Sequence, residues 1–400
     1  MGSVVLQPVA HANLVRVRWI ATTLCVACGA GFLFAARALQ GSWFERHVLL
    51  PWYYPWAPAW VSGTRTVAAA CGLLLIGAAW PLGRRAARSA VAGWLRISLA
   101  VLLALATSEV VLRLNEHGTS YWRSHKLEFR FGRDDPRLGW ALLPSRKTVL
   151  GPPQRRTSYA IDAWGDRAAS EAGAPDSDLP SLVVSGESIA VGHEVAYEQT
   201  FAALMGHDLG LQVVNVACGG YGSDQAFLRL RDALARLKRP AAAVITFVPI
   251  MLSRNVQDYR PHLALRGEAL ELVPPAGGFL AGFRLRDLWV NELPYMSEAA
   301  LRDSMRLTAA IVREAARITR TRGAEPLFAV FSIGPARSFD DHPEAFILRE
   351  LFVEQRIPFA LIDVPPAELI AGDGHPGPEA HRRIAHVLET ALRAGLSRAR

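Results

Sequence analysis

One serine, one histidine and one carboxylate stand at positions from which acyl-transfer chemistry could be run. Ser188 follows the apolar run Leu182–Ser185 and Gly186, with a further glycine at Gly192. A serine hydroxyl is a weak nucleophile until a base takes its proton. The base needs a carboxylate to fix its tautomer, and the developing oxyanion needs N–H donors. His375, in the stretch Ala371-Gly-Asp-Gly-His-Pro-Gly377, is the candidate base. Asp373 is its candidate orienter, and Pro376 restricts His375 to extended backbone. The plain alternative is an exposed loop histidine that caps the next helix. Asp341-His342 competes, but its place at a helix start favours capping. His193 lies five residues after Ser188 and has only Glu194 or Glu187 close by in sequence, so it ranks third. On the oxyanion side, Asn215-Val-Ala-Cys-Gly-Gly-Tyr-Gly-Ser223 carries three glycines where a simple strand-to-helix turn needs one. The N–H groups of Ser188 and Gly220 are the candidate donors, since glycine lets backbone approach a ligand closely.

These residues need strand ends to hold them. Strands are expected at Leu182–Ser185, Gln212–Ala217, Ala242–Val248, Leu327–Phe331 and Phe359–Val364, all rich in Val, Ile and Phe and nearly continuously apolar. Strands covered on both faces read this way. Helical patterns fall between them, at roughly 200–209, 224–237, 298–321 and 343–354, with a last one over 378–395. The alternation predicts a parallel sheet with helices on both faces. Ligands then bind beyond the carboxyl ends of the strands, where Ser188, Gly220 and His375 all fall. Residues of about 253–295 break the rhythm and read as an insertion. The stretch 115–180 reads as an extension of the 181–400 domain, because it lacks the periodic apolar residues of a core. Within it, Asp134–Trp140 and Ile161–Arg167 each read as a turn with a short extended piece.

The first 114 residues differ in kind. The chain is 51% hydrophobic and only 20% charged, and the apolar excess sits here. Segments of about 19–36, 66–83 and 94–112 each approach the length of a membrane-spanning helix. Arg16 and Arg18 precede the first, and Arg84, Arg85, Arg88 and Arg96 crowd the link between the second and third. Positive residues stay cytoplasmic, so three spans put everything after Leu114 outside. The loop carrying Trp43, Trp52, Tyr53, Tyr54, Trp56 and Trp60 would lie along the outer interface. Glu109 is near enough to the end of its span to reach headgroups, and Cys25 and Cys28 read as small packing residues. The net charge of +8 is spread over helices and span flanks rather than clustered with aromatics, so nucleic acid is not an expected partner. No metal-ligand spacing and no nucleotide-binding fingerprint occurs, and no cofactor or metal is expected.

Together these features resemble the SGNH (GDSL) hydrolases, serine esterases and acyltransferases on a flavodoxin-like sheet. Gly186-Glu-Ser188 resembles the first block with glutamate for aspartate. Asn215 and Gly220 resemble the second block, and Asp373-Gly-His375 the last. Asp135–Gly139 and Trp164–Arg167 are similar to segments ahead of the serine in membrane-anchored members. The resemblance spans roughly residues 130–395. It implies a flavodoxin-like three-layer α/β/α domain with a five-stranded parallel sheet, preceded by three transmembrane helices. It also implies Ser188, His375 and Asp373 as the catalytic set, with Ser188 and Gly220 in the oxyanion hole. The implied substrate is an acylated glycan, lipid or small ester of the envelope, alongside the bilayer as partner. The third block, Gly-x-Asn-Asp, has no match: Ile250-Met251 stand in its place, leaving Asn255 or Arg254 as nearby polar substitutes. That departure supports a second expectation, a catalytically weak or inactive member serving as a binding or assembly component of envelope polysaccharide machinery.

Overall fold

The computed structural model describes residues 6–38, 57–88, 90–114, 132–288, 296–333, 338–342 and 344–398. They form two compact units, described separately.

The first unit holds three helices, α1 (Leu6–Ala38), α2 (Ala57–Arg88) and α3 (Ala90–Leu114). Arg65 Nε donates to Ala36 O at 3.0 Å and Thr22 Oγ1 to Ala79 O at 3.4 Å, so α1 and α2 run antiparallel. Their backbones meet at Gly29 and Gly72, where a Cβ on either would lie 2.8 Å from the other's carbonyl oxygen. Small residues at the crossing are how helices pack closely without a hydrophobic drive between them. Among the described residues, two helices are long and apolar enough to cross a membrane, over Arg18–Ala38 and Val61–Arg85. Three were expected. The third segment is helical over Ala90–Leu114 and is not one of these two. Glu109 pairs with Arg113 at 2.7 Å, one helical turn on. The aromatic loop from Trp43 to Trp56 lies outside the described residues, as does the side chain of Trp60.

The second unit is built on an eight-stranded sheet. Its strands are β3 (Arg146–Leu150), β4 (Thr157–Ile161), β5 (Arg167–Ala168), β6 (Ser181–Ser185), β7 (Gln212–Asn215), β8 (Pro240–Phe247), β11 (Glu325–Ile333) and β12 (Phe359–Val364). Two hairpins stand apart, β1 (Gly132–Asp135) with β2 (Gly139–Leu142), and β9 (His262–Arg266) with β10 (Ala269–Val273). The sheet order is β12-β11-β8-β6-β7-β5-β4-β3. From β7 to β12 all pairing is parallel, in the doubly wound order 2-1-3-4-5. β5, β4 and β3 continue it antiparallel beyond β7. The sheet therefore has eight strands rather than the expected five, and the extension is part of it. These strands escape sequence reading because β5 is two residues long and β3 is an edge strand whose Arg146 and Lys147 stay exposed.

One-sided helices complete the layers. α7 (Glu298–Thr321) buries Leu301, Met305, Thr308, Val312, Ala315 and Thr319, a 3.6-residue stripe, and Ser297 caps it by accepting from Ala300 N at 3.2 Å. It packs with α6 (Ser223–Arg236), while α5 (Phe201–Leu209) packs with α8 (Pro378–Arg398). The 343–354 helix is not continuous: an α turn at Ala345–Leu348 passes into a π turn at Arg349–Val353. In the 253–295 insertion, β9–β10 is tied down by a fully buried ion pair. Arg260 donates to both Asp224 oxygens at 2.7 and 3.0 Å. Residues 289–295 lie outside the described set.

Candidate active site

β6 ends at the reversal point of the strand order and turns at Gly186, whose φ is +150°. A Cβ at Gly186 would fall on the Thr246 hydroxyl of β8, so only glycine lets the chain turn there. A single helical turn, α4 (Ser188–Val191), follows. Glu187 caps it by accepting from Ile189 N at 2.9 Å, and Gly192 closes it in the left-handed region. Asn215 at the end of β7 braces the turn, donating from Nδ2 to Ala190 O at 2.7 Å.

The loop after β12 brings the other groups. His375 Nε2 lies 2.8 Å from Ser188 Oγ, and His375 Nδ1 lies 2.6 Å from Asp373 Oδ1. The same Asp373 oxygen accepts from His375 N at 3.0 Å, which shapes the loop. With the ring proton on Nδ1 facing Asp373, Nε2 is an acceptor and the serine hydroxyl is its donor. Ser188 Oγ also lies 2.7 Å from Glu187 Oε2, so one hydroxyl hydrogen has two acceptors. Burial alone would push the Asp373 carboxyl up. His193 and His375, both directed at it, outweigh burial and hold it well below the usual carboxylate range.

The residues named from sequence fall differently. Ser188, His375 and Asp373 come together. Gly220 sits in the loop after β7 with φ +75°. Among the described hydrogen bonds, neither Ser188 N nor Gly220 N donates to any other group. Asn255 does not join them. It is fully buried, donates from Nδ2 to Thr308 Oγ1 at 2.8 Å and accepts from Asp224 N at 3.3 Å. Its amide ties α6 to α7, and none of the described hydrogen bonds joins it to Ser188, His375 or Asp373. Arg254 Nη1 donates to Tyr221 O at 3.1 Å. His342 is buried elsewhere, 3.5 Å from Asp363. His193 finds neither Glu194 nor Glu187 but Asp373, with Nε2 3.5 Å from Oδ2, and its ring lies tilted against His375 with centroids 4.4 Å apart.

Three further residues carry no sequence signal of their role, because each acts across long separations. Trp140 donates from Nε1 to Gly219 O at 3.1 Å, and its ring edge lies 3.4 Å from where a Cβ on Gly220 would stand. The extension thus fixes the glycine loop. Arg155, between β3 and β4, donates from Nε to Glu194 Oε2 at 3.2 Å and from Nη1 to Ala371 O at 2.7 Å. It straps the loop after Ser188 to the loop that carries Asp373 and His375. Tyr159 accepts from Glu194 N at 2.5 Å. Trp140, Leu142, Leu150, Tyr159 and Val191 line a cleft that reaches Ser188, His193 and Cys218. A hydroxyl, imidazole and carboxylate chained in this way can move the hydroxyl proton to Nε2 while the carboxylate steadies the imidazolium. His193, Asp373 and His375 also place three metal-ligand atoms within 4.8 Å of one another, a grouping their sequence spacing does not reveal.

No protein-family model matches the chain, and no curated protein matches it. Among solved structures, a lipolytic protein of the G-D-S-L family from Desulfitobacterium hafniense DCB-2 is 14% identical, over 53% of this chain and 98% of its own, with a TM-score of 0.32. The acetyl xylan esterase Est2A of the rumen bacterium Butyrivibrio proteoclasticus is 12% identical, over 56% of this chain and 66% of its own, at 0.33. The salicylyl-acyltransferase SsfX3 of a tetracycline biosynthetic pathway is 14% identical, over 56% and 57%, at 0.28. Scores this low carry no weight for function, which rests on the hydrogen-bonded chain from Ser188 through His375 to Asp373.

Proposed function

We propose that the protein is a membrane-anchored serine esterase or O-acyltransferase of the SGNH type. In this reading it acts outside the cytoplasm, through an acyl-serine, on an ester-bearing envelope glycan, lipid or small ester. The observation that carries the reading is the chain Ser188 Oγ to His375 Nε2 at 2.8 Å and His375 Nδ1 to Asp373 Oδ1 at 2.6 Å. Ser188 Oγ attacks the ester carbonyl as its proton passes to Nε2. The N–H groups of Ser188 and Gly220 receive the oxyanion, and Asp373 stabilises the imidazolium. His375 then gives the proton to the departing alkoxide, leaving acyl-Ser188. Water or a sugar hydroxyl repeats the sequence in reverse. The apolar walls of the cleft suit the acyl part of the ester. Trapping with a fluorophosphonate probe tests this: wild type labels and Ser188→Ala does not. An unlabelled wild type, or equal labelling of both, sinks it.

Anchoring is supported by the two apolar helices. The arginines at 16, 18, 84, 85 and 88 favour a cytoplasmic N-terminus. An outward site then requires α3 to cross as well. A reporter fused after residue 114 that is active only outside the cytoplasm distinguishes the two sides, and activity of an inside-only reporter there overturns the outward placement.

A second reading is favoured by the commitment of Asn255 to Thr308 and Asp224. Loss of one oxyanion donor costs on the order of 10²–10³ in rate. The chain would then be a weak or inactive SGNH-fold component that binds envelope polysaccharide or its machinery. An intact cellular phenotype in Ser188→Ala and His375→Ala, with loss of phenotype on deleting the apolar helices, decides for it.

A further inference from the structure

His193 has no step in the proposed reaction, yet it stands beside the two groups that do most of the proton handling. Its Nε2 is 3.5 Å from Asp373 Oδ2, an ion-pair distance too long for a strong hydrogen bond. Its ring centroid is 4.4 Å from that of His375, at 38°. Ligand atoms of His193, Asp373 and His375 all lie within 4.8 Å of one another. Two imidazoles and one carboxylate make a nitrogen-rich set that suits Zn²⁺ in tetrahedral coordination with a water, whereas Ca²⁺ and Mg²⁺ call for oxygen ligands.

The cluster is both held and reachable. Its side chains are 25%, 21% and 27% exposed, so an ion can enter from the cleft without opening the fold. The loop behind His193 is pinned where Tyr159 Oη accepts from Glu194 N and Thr157 Oγ1 donates to Glu194 O at 3.1 Å. Arg155 joins that loop to the loop of Asp373. A site fixed from both sides needs only small side-chain movements to bring its ligands to Zn–N and Zn–O distances of about 2.0–2.2 Å.

We propose that His193, Asp373 and His375 form an inhibitory Zn²⁺ site superposed on the candidate active site. Zn²⁺ takes the lone pairs of His193 Nε2, His375 Nδ1 and one Asp373 oxygen, and water fills the fourth position. The proton that stood on His375 Nδ1 moves to Nε2, so the ring stays neutral and no redox change occurs. Nε2 is then a donor and cannot accept the proton of Ser188. The serine itself is untouched. The inhibitory part rests on the proposed acyl-serine reaction; the binding part does not.

The full chain in detergent, freed of metal by chelator, would be titrated with ZnCl₂ by calorimetry and with CoCl₂ by visible absorption. The rate of fluorophosphonate labelling would be followed in parallel, each protein against its own metal-free rate. One ion per chain is expected, with tetrahedral Co²⁺ absorption. Saturating Zn²⁺ should slow labelling more than 10-fold, with full recovery on adding chelator. His193→Gln should weaken binding at least 10-fold, and Asp373→Asn should weaken it as well. Equal Zn²⁺ affinity in wild type and His193→Gln overturns the site, as does the absence of stoichiometric binding. Binding that leaves labelling unchanged overturns the inhibition. A wild type that never labels, even metal-free, defeats the acyl-serine reading while calorimetry still judges the site.

Discussion

Two of the histidine–aspartate pairs among the described residues, His375–Asp373 and His342–Asp363, have opposite surroundings. His375 and Asp373 lie half-exposed in one loop at the carboxyl edge of the sheet, 2.8 Å from a serine hydroxyl. His342 and Asp363 join a turn to β12, with the His342 side chain wholly buried and 3.5 Å from Asp363. Residue types are the same; only the first pair has a nucleophile and a cleft within reach. The difference shows that a base is defined by what its second nitrogen meets. For His375 that is Ser188, and for His342 it is packing. The sequence reading of Asp341-His342 as a helix cap does not hold: the N-cap of the following helix is Glu344, and the ring of His342 is buried.

The sharpest break would come from the nucleophile side. Ser188→Ala and His375→Ala should each lower ester hydrolysis by on the order of 10⁴-fold or more, read as kcat on a p-nitrophenyl acetate assay. His342→Leu should leave kcat within about 3-fold. If it matches His375→Ala, the distinction between the pairs is wrong. Asp373→Asn should cost on the order of 10²–10⁴-fold in kcat by freeing the wrong tautomer. Asp363→Asn, tested in the same assay, should again stay within about 3-fold.

A third histidine sharpens the contrast through pH. His381 is buried, accepts from Phe201 N at 3.1 Å, and burial pushes its pKa down to about 3. Its unfolded value is about 6.5. The unfolded chain binds the extra proton between these values, so this stability is present above about 6.5 and lost as pH falls toward 3. Between pH 6.5 and 4.5 the melting midpoint of the wild type should drop by roughly 5–10 °C more than that of His381→Gln. Parallel curves would show that the ring is not buried neutral. The smallest effect is expected at Gly220→Ala, where the cost is strain at φ +75°. Hydrolysis should fall about 10-fold with little change in KM, since the N–H remains but shifts.

The parallel core was legible because buried strands leave unbroken Val, Ile and Phe runs. β12 begins and ends where its sequence does, and β6, β7, β8 and β11 differ only at their ends. Ser188 was legible because it follows such a run within a few residues, and Asp373 and His375 because they lie in the loop after another such run and before the last helix. Three things were not. The strands of the extension are short or charged on their outer edge, and a two-residue strand has no period to read. The partner of His193 depends on a loop 180 residues further along the chain. Asn255 stood near the place of the missing third block, but the fold joins its amide to Thr308.

The antiparallel strands also set an order of events during synthesis. β3, β4 and β5 leave the ribosome before β7, the strand on which they must dock, and translation of the intervening stretch takes several seconds. Until β7 exists, β5, which pairs β4 on one side, has an open edge on the other. Unpaired edges invite pairing with other chains. The charges of Arg146 and Lys147 on β3 stand guard on one side of that waiting hairpin. The cleft wall is thus translated early and completed late, and a chain cut short before residue 212 would hold half a binding site and a strand edge with no neighbour.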